Sequence, residues 1–161
     1  MAIDISNIGD LEEISYRNHD GKVTTINPKQ LLTFNRTNLP FESQANTYFL
    51  IARLAELAKL KVENSKVELN KLEGELYNQY ANDPDLKAKN NNKKPTEGTL
   101  SSLIASNQQH VELSLRINQE NYKAQVLLRL VKAFEQRKDL IQSLSAQLRQ
   151  ENSFGVPPVK N

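Results

Sequence analysis

Between Tyr48 and Gln79, residues recur at alternating intervals of three and four: Tyr48, Ile51, Ala55, Ala58, Val62, Ser65, Leu69, Leu72, Leu76 and Gln79. Positions three and four apart share one side of an α-helix, so this spacing demands a single helix with one long seam. Such a seam is the pattern of helices packed at shallow angles. Pro40 fits the first helical position, where its missing N–H costs nothing. At 1.5 Å per residue, a helix from residue 40 to residue 80 is roughly 60 Å long. No compact core covers that length, so the helix needs partners.

A second stretch, residues 96–151, supplies one. Thr96 is placed to cap it, with Glu97 in the first turn. A break is expected at Ser106-Asn107, and the late part carries its own seam: Leu127, Leu130, Phe134, Arg137, Ile141, Leu144 and Leu148. Asn152 to Gly155 and then Val156-Pro157-Pro158 stop it, leaving 152–161 as an extended tail. Between the helices, Asn82-Asp83-Pro84 ends the first. A polar loop of about 81–95, with Lys87, Lys89, Lys93 and Lys94, is expected to be exposed and mobile. A connection of this length favours an antiparallel helical hairpin.

Residues 1–39 differ in texture. Ile14-Ser15-Tyr16-Arg17 and Lys22-Val23-Thr24-Thr25-Ile26 flank Asn18-His19-Asp20-Gly21, a hairpin signal. Asn27-Pro28 closes the hairpin and Lys29 to Phe34 fits one helical turn. An isolated hairpin is marginal, so this arm should dock on the helices or on a neighbouring subunit. The fold class expected is all-α: a long antiparallel helical hairpin, residues 40–151, with a small N-terminal β-hairpin arm, oligomeric.

The oligomer follows from burial. Counted back from the loop, residues 50 and 130 stand at one height. There Tyr48, Phe49, Leu50, Leu54 and Leu57 oppose Val126, Leu127, Leu130 and Phe134, and both segments are apolar nearly all round. Two helices cannot shield one another on every side, so further copies should cover this belt. Nearer the loop, Lys61–Asn70 faces Val111–Asn121 and both arms turn polar, which predicts a slender, wetter stretch.

Charge and composition exclude more than they select. The 161 residues carry a net charge of +2 with acids and bases interleaved, so charge alone does not make this a nucleic-acid binder. The absence of cysteine removes disulfides and thiolate metal sites and suits a reducing cytosol. Met1–Glu13 has no apolar core of signal-peptide length, and the longest apolar run, Tyr48–Ala52, is too short to span a bilayer. A cytoplasmic protein without membrane contact is expected. His19 and His110 have no ligand partner at helical metal-site spacing. His110 and Glu112, or Glu73 and Glu75, stand two apart and diverge. No phosphate loop or nucleophile elbow occurs. No enzyme, cofactor or metal is expected.

The lysines have two readings. They solvate a loop and a helix face, or, repeated around a symmetric assembly, they track a phosphate backbone. On the second reading Lys59, Lys61, Lys66, Lys71, Lys87, Lys89, Lys93 and Lys94 are the DNA contacts. Tyr77, Tyr80 and Tyr122 are then available to stack bases, or else serve as packing residues. Gly74, away from the seam, is a tolerated bend or a point of close approach.

From Tyr48 to Glu151 the chain resembles phage recombination mediators of the UvsY type. The resemblance rests on the lysine-rich helix ending Leu76-Tyr77-Asn78-Gln79-Tyr80, the Asp83-Pro84 break, Lys94-Pro95-Thr96-Glu97, and Gln136-Arg137-Lys138-Asp139-Leu140. It implies a heptamer-like homo-oligomeric ring that binds single-stranded DNA and helps a RecA-like recombinase displace a single-strand-binding protein, in the host cytoplasm if phage-encoded. The chain departs from the pattern at Glu73 and Glu75, beside Lys71, which shifts the expected contacts toward the loop lysines. The N-terminal arm has no counterpart in the family. The rival reading is a structural or adaptor coiled-coil protein, such as a virion or scaffold component.

Overall fold

The computed structural model describes residues 13–17, 20–36 and 39–154. In chain order these form β1 (Ile14–Arg17), β2 (Val23–Ile26), α1 (Pro28–Leu32), α2 (Phe41–Asn82), α3 (Pro84–Lys89), α4 (Glu97–Ser106) and α5 (Gln108–Phe154). The chain divides into two compact units, Met1–Ile51 with Arg129–Asn161, and Ala52–Leu128. Helices α2 and α5 each contribute residues to both.

In the first unit the expected hairpin is present. β1 and β2 pair antiparallel with Ile14 opposite Ile26 and Arg17 opposite Val23. Gly21 takes φ +79° in the turn, a left-handed conformation that glycine adopts without a Cβ clash. Asn18 and His19 of the expected turn lie outside the described residues, as do residues 1–12 and 155–161. Pro28 opens α1, and the Asn27 side chain accepts from the Gln30 N–H at 3.0 Å. The arm docks on the helices: Ile14, Leu31 and Leu32 pack against a core of Ile51, Leu130 and Phe134. Helix α2 starts at Phe41, one residue after Pro40, and α5 runs to Phe154 rather than stopping at Glu151.

In the second unit, Val62, Ile117 and Ala124 form the core, with Ala58, Leu69 and Leu113 packed against it. The side-chain pairs Ser65–Glu120, Glu68–Arg116 and Glu73–His110 step in opposite senses along the chain, so the helices run antiparallel here, about one turn away from the alignment that sets residue 50 beside residue 130. The seam holds: Ile51, Ala55, Val62, Ser65 and Leu76 are buried, while Tyr48 and Gln79 at its two ends are exposed.

The polar loop needs correction, because residues 84–89 are helical. Asp83 is an N-cap whose Oδ1 accepts from the Asp85 and Leu86 N–H groups at 2.8 and 3.1 Å, and Pro84 occupies the first turn. The same Asp-Pro that ends one helix therefore starts the next. The tip is a defined turn, with Asn91 and Asn92 at φ 53° and 60° and Asn90 Nδ2 donating to the Lys94 carbonyl at 2.7 Å. Asparagine tolerates that left-handed conformation better than most residues. Thr96 caps α4, accepting from the Thr99 N–H at 3.3 Å. The expected break falls at Asn107, which closes α4 with its extended backbone and caps α5 through Oδ1.

Candidate nucleic-acid interface

All eight lysines proposed to meet DNA lie in the second unit, and the fold treats them unequally. Lys61 reaches Glu120 at 3.1 Å, Lys66 reaches Glu63 at 2.9 Å, Lys71 reaches Glu75 at 3.8 Å and Lys94 reaches Glu97 at 3.2 Å. Lys87 donates to the Asn82 side chain at 3.4 Å. Among the described residues, Lys59, Lys89 and Lys93 are exposed and form no ion pair. Each helical residue turns by about 100°. Lys59 and Lys66, seven apart, therefore share one side of α2, while Lys61, two from Lys59, emerges on another. The lysines of α2 do not make a single stripe.

Tyr77 and Tyr80 serve as clamps. The Tyr77 hydroxyl donates to Glu97 at 2.9 Å, and the Lys94 ammonium lies 4.7 Å from its ring centre. Hydrogen bonds from Tyr77 and Lys94 hold the Glu97 carboxyl below its ordinary value. The Tyr80 hydroxyl accepts from Asn107 Nδ2 at 3.0 Å, tying α2 to the junction of α4 and α5. Tyr122 remains exposed. Gly74 is exposed on an unbroken helix, and a Cβ there would meet nothing within 4 Å. Beside it a shallow groove of about 570 Å³ is bordered by Glu73, Tyr77, Ser101 and His110.

Of the residues expected to form a belt, two are corrected. Leu130 and Phe134 are core residues of their own chain, Phe134 being only 1% exposed. Their place in the α5 seam turns them toward α2, and the hairpin arm supplies cover that an argument from two helices alone omits. Leu50, Leu54, Val126 and Leu127 are half-buried. Tyr48 donates its hydroxyl to Glu135 at 3.0 Å, and that bond raises its pKa. Phe49 remains open, 68% exposed, and Leu57 is also exposed.

In the second unit, apolar side chains also face away from the shared core. On α2 these are Leu57, Leu60 and Val67, and on α5 Val111, Leu115 and Tyr122. Within each group consecutive residues stand three, four or seven apart, which keeps them on neighbouring sides of their helix.

Two buried charges were not recognised in the sequence as sites. Glu120, only 7% exposed, accepts from the Ser65 hydroxyl at 2.7 Å and pairs with Lys61. Burial alone would push its carboxyl up. The Ser65 hydroxyl, Lys61 and Arg116 outweigh burial and hold it below the usual range. Arg137, in the first unit, is buried as deeply and has no acidic partner among the described residues. A signal existed for both. Leu113, Ile117, Glu120, Ala124 and Leu127 continue the three-four spacing backwards from the late seam, and Arg137 occupies one of its positions. His110, without a partner along its own helix, meets Glu73 across helices at 2.9 Å.

No group of three or more metal-ligating side chains occurs among the described residues, and no helix there is long and apolar enough to cross a membrane. Comparisons with protein-family models, with curated proteins and with solved structures return no match to this chain.

Proposed function

We propose that this chain is a non-catalytic recombination mediator. It assembles into a homo-oligomeric ring, holds single-stranded DNA, and helps load a RecA-like recombinase in competition with a single-strand-binding protein. Support comes from one arrangement in the second unit: cations without acidic partners, Lys59, Lys89 and Lys93, on the same body as apolar side chains open to a second copy. Three cations on one chain hold a polynucleotide weakly. Repeated by symmetry, they add their counterion release over many phosphates, and a weak patch becomes a multivalent surface. The likeness to UvsY-type mediators supplies the recombinase.

The ion pairs of Lys61, Lys66, Lys71 and Lys94 favour the rival reading, a structural or adaptor protein whose surface charges are internally balanced. A titration of a fluorescein-labelled oligothymidine at rising salt separates the two. A mediator binds with an affinity that falls steeply with salt, and Lys59→Glu, Lys89→Glu and Lys93→Glu together weaken it at least tenfold while light scattering reports the same assembly. A structural protein shows no salt-sensitive binding at all. Stimulation of a RecA-like ATPase on coated single strands tests the loading step.

A further inference from the structure

Of the two buried charges among the described residues, Glu120 and Arg137, Arg137 is the one without an opposite charge beside it. It is 6% exposed, its guanidinium lies 4.9 Å from the Phe134 ring centre and 5.4 Å from that of Phe34, and Nη1 donates to Gln44 Oε1. Its Nε is sealed from water with no acceptor. Gln44 is itself held, donating through Nε2 to the Phe134 carbonyl at 3.3 Å. A buried charge is ordinarily neutralised by an opposite one or by a ligand, and a guanidinium fork matches a carboxylate. A cavity of about 400 Å³ in the same unit opens on this group. Besides Arg137 its wall includes Phe34, Phe134, Pro40, Ser43 and Thr47.

We propose that this cavity receives an acidic peptide segment of another protein. One carboxylate pairs with Arg137, and a neighbouring apolar side chain lies against Phe34 and Pro40. The chemistry of the wall selects peptide over nucleic acid. A polynucleotide presents a phosphate at every residue and is held by rows of cations, whereas among the described residues no lysine lines this cavity and one guanidinium does. One guanidinium beside an apolar wall suits a single carboxylate flanked by a hydrophobic residue. The site is independent of DNA binding by the lysines of the second unit.

The test uses the full chain and a fluorescein-labelled hexapeptide of two glutamates, two aspartates, a leucine and a phenylalanine. Its control is the same peptide with the acids changed to their amides. Saturable binding of the acidic peptide, at least tenfold tighter than the control, is expected. Arg137→Met, which fills the same volume without charge, abolishes the preference. Thr47→Glu, which sets a carboxylate of the chain's own on the cavity wall, weakens binding and raises Tm, and it decides the matter if Arg137→Met fails to fold. Equal binding of both peptides, or an acidic preference that survives Thr47→Glu, overturns the proposal. So does loss of binding in the Lys59/Lys89/Lys93→Glu variant with retention in Arg137→Met, which would place the peptide on the lysines. Displacement of the peptide by oligothymidine from the wild type and equally from that lysine variant would make the cavity a nucleic-acid site, and would overturn it too.

Discussion

The two units bury charge in opposite ways. In the second, Glu120 sits in the seam between α2 and α5, satisfied by Ser65 and Lys61, beside a core of modest side chains, Val62, Ile117 and Ala124. In the first, larger side chains, Ile51, Leu130 and Phe134, are covered by the arm, and the buried charge there, Arg137, stacks on rings without an acid. A partnered buried charge fixes which residues may face one another across a pair of helices, since any slip in register strands it. An unpartnered one next to a cavity contributes nothing to that purpose. The first arrangement belongs to folding, and the second invites a ligand.

The contrast can be broken at its strongest point first. Phe134→Ala removes the centre of the first core and should destabilise the protein by about 3–5 kcal/mol, measured by urea unfolding. A loss below 1 kcal/mol would mean that Phe134 is not the keystone its burial indicates. Next, Glu120→Gln should cost about 1.5–3 kcal/mol at neutral pH, the range for hydrogen bonds to a charged group. The sign with pH follows from the depressed folded value of Glu120. Its contribution is present above the ordinary carboxylate range and disappears as pH falls through the folded value. Wild type and Glu120→Gln should therefore converge in stability in strong acid. A constant gap down to that range would contradict the pairing.

Arg137→Met should leave stability unchanged or raise it, because a buried cation without a counter-charge is replaced by apolar volume. A large loss would mean that the stacking on Phe34 and Phe134 and the bond to Gln44 already compensate the charge, and the two units would then differ less than described. Gly74→Ala should be the mildest change, a gain of about 1 kcal/mol from helix propensity alone, with room for the added methyl. If that variant instead changes the size of the assembly in light scattering, another chain approaches the helix at Gly74. Breaking the exposed pair Lys66–Glu63 should be nearly silent, within about 0.5 kcal/mol.

Much of the architecture was legible in the sequence because periodicity is a local quantity. The three-four spacing from Ile51 to Leu76 names the buried side of α2, and Thr96 and the Asn107 break mark where backbone groups need a cap. The helix at residues 84–89 was missed although its signal was present. Asp83-Pro84 ends α2, and aspartate before proline is also a strong helix start. Leu130 and Phe134 belong to the chain's own core rather than to a belt for a different reason. An apolar segment is hydrophobic whichever neighbour covers it, and the spacing does not say that Ile14, Leu31 and Leu32 provide the cover.

The chain alone determined where its two long helices lie, which side of α2 is buried, and that Ile14–Arg17 and Val23–Ile26 pair as a hairpin. Each of these depends on residues a few positions apart and on backbone preferences that act over one turn. Only the tertiary structure decided that Glu120 meets Ser65 and Lys61, that Lys61, Lys66, Lys71 and Lys94 are neutralised while Lys59, Lys89 and Lys93 are not, and that Arg137 opens onto a cavity. A repeat pattern sets a side chain's angle about its own helix. The sign and reach of whatever stands opposite belong to residues tens of positions away, and only folding brings them together.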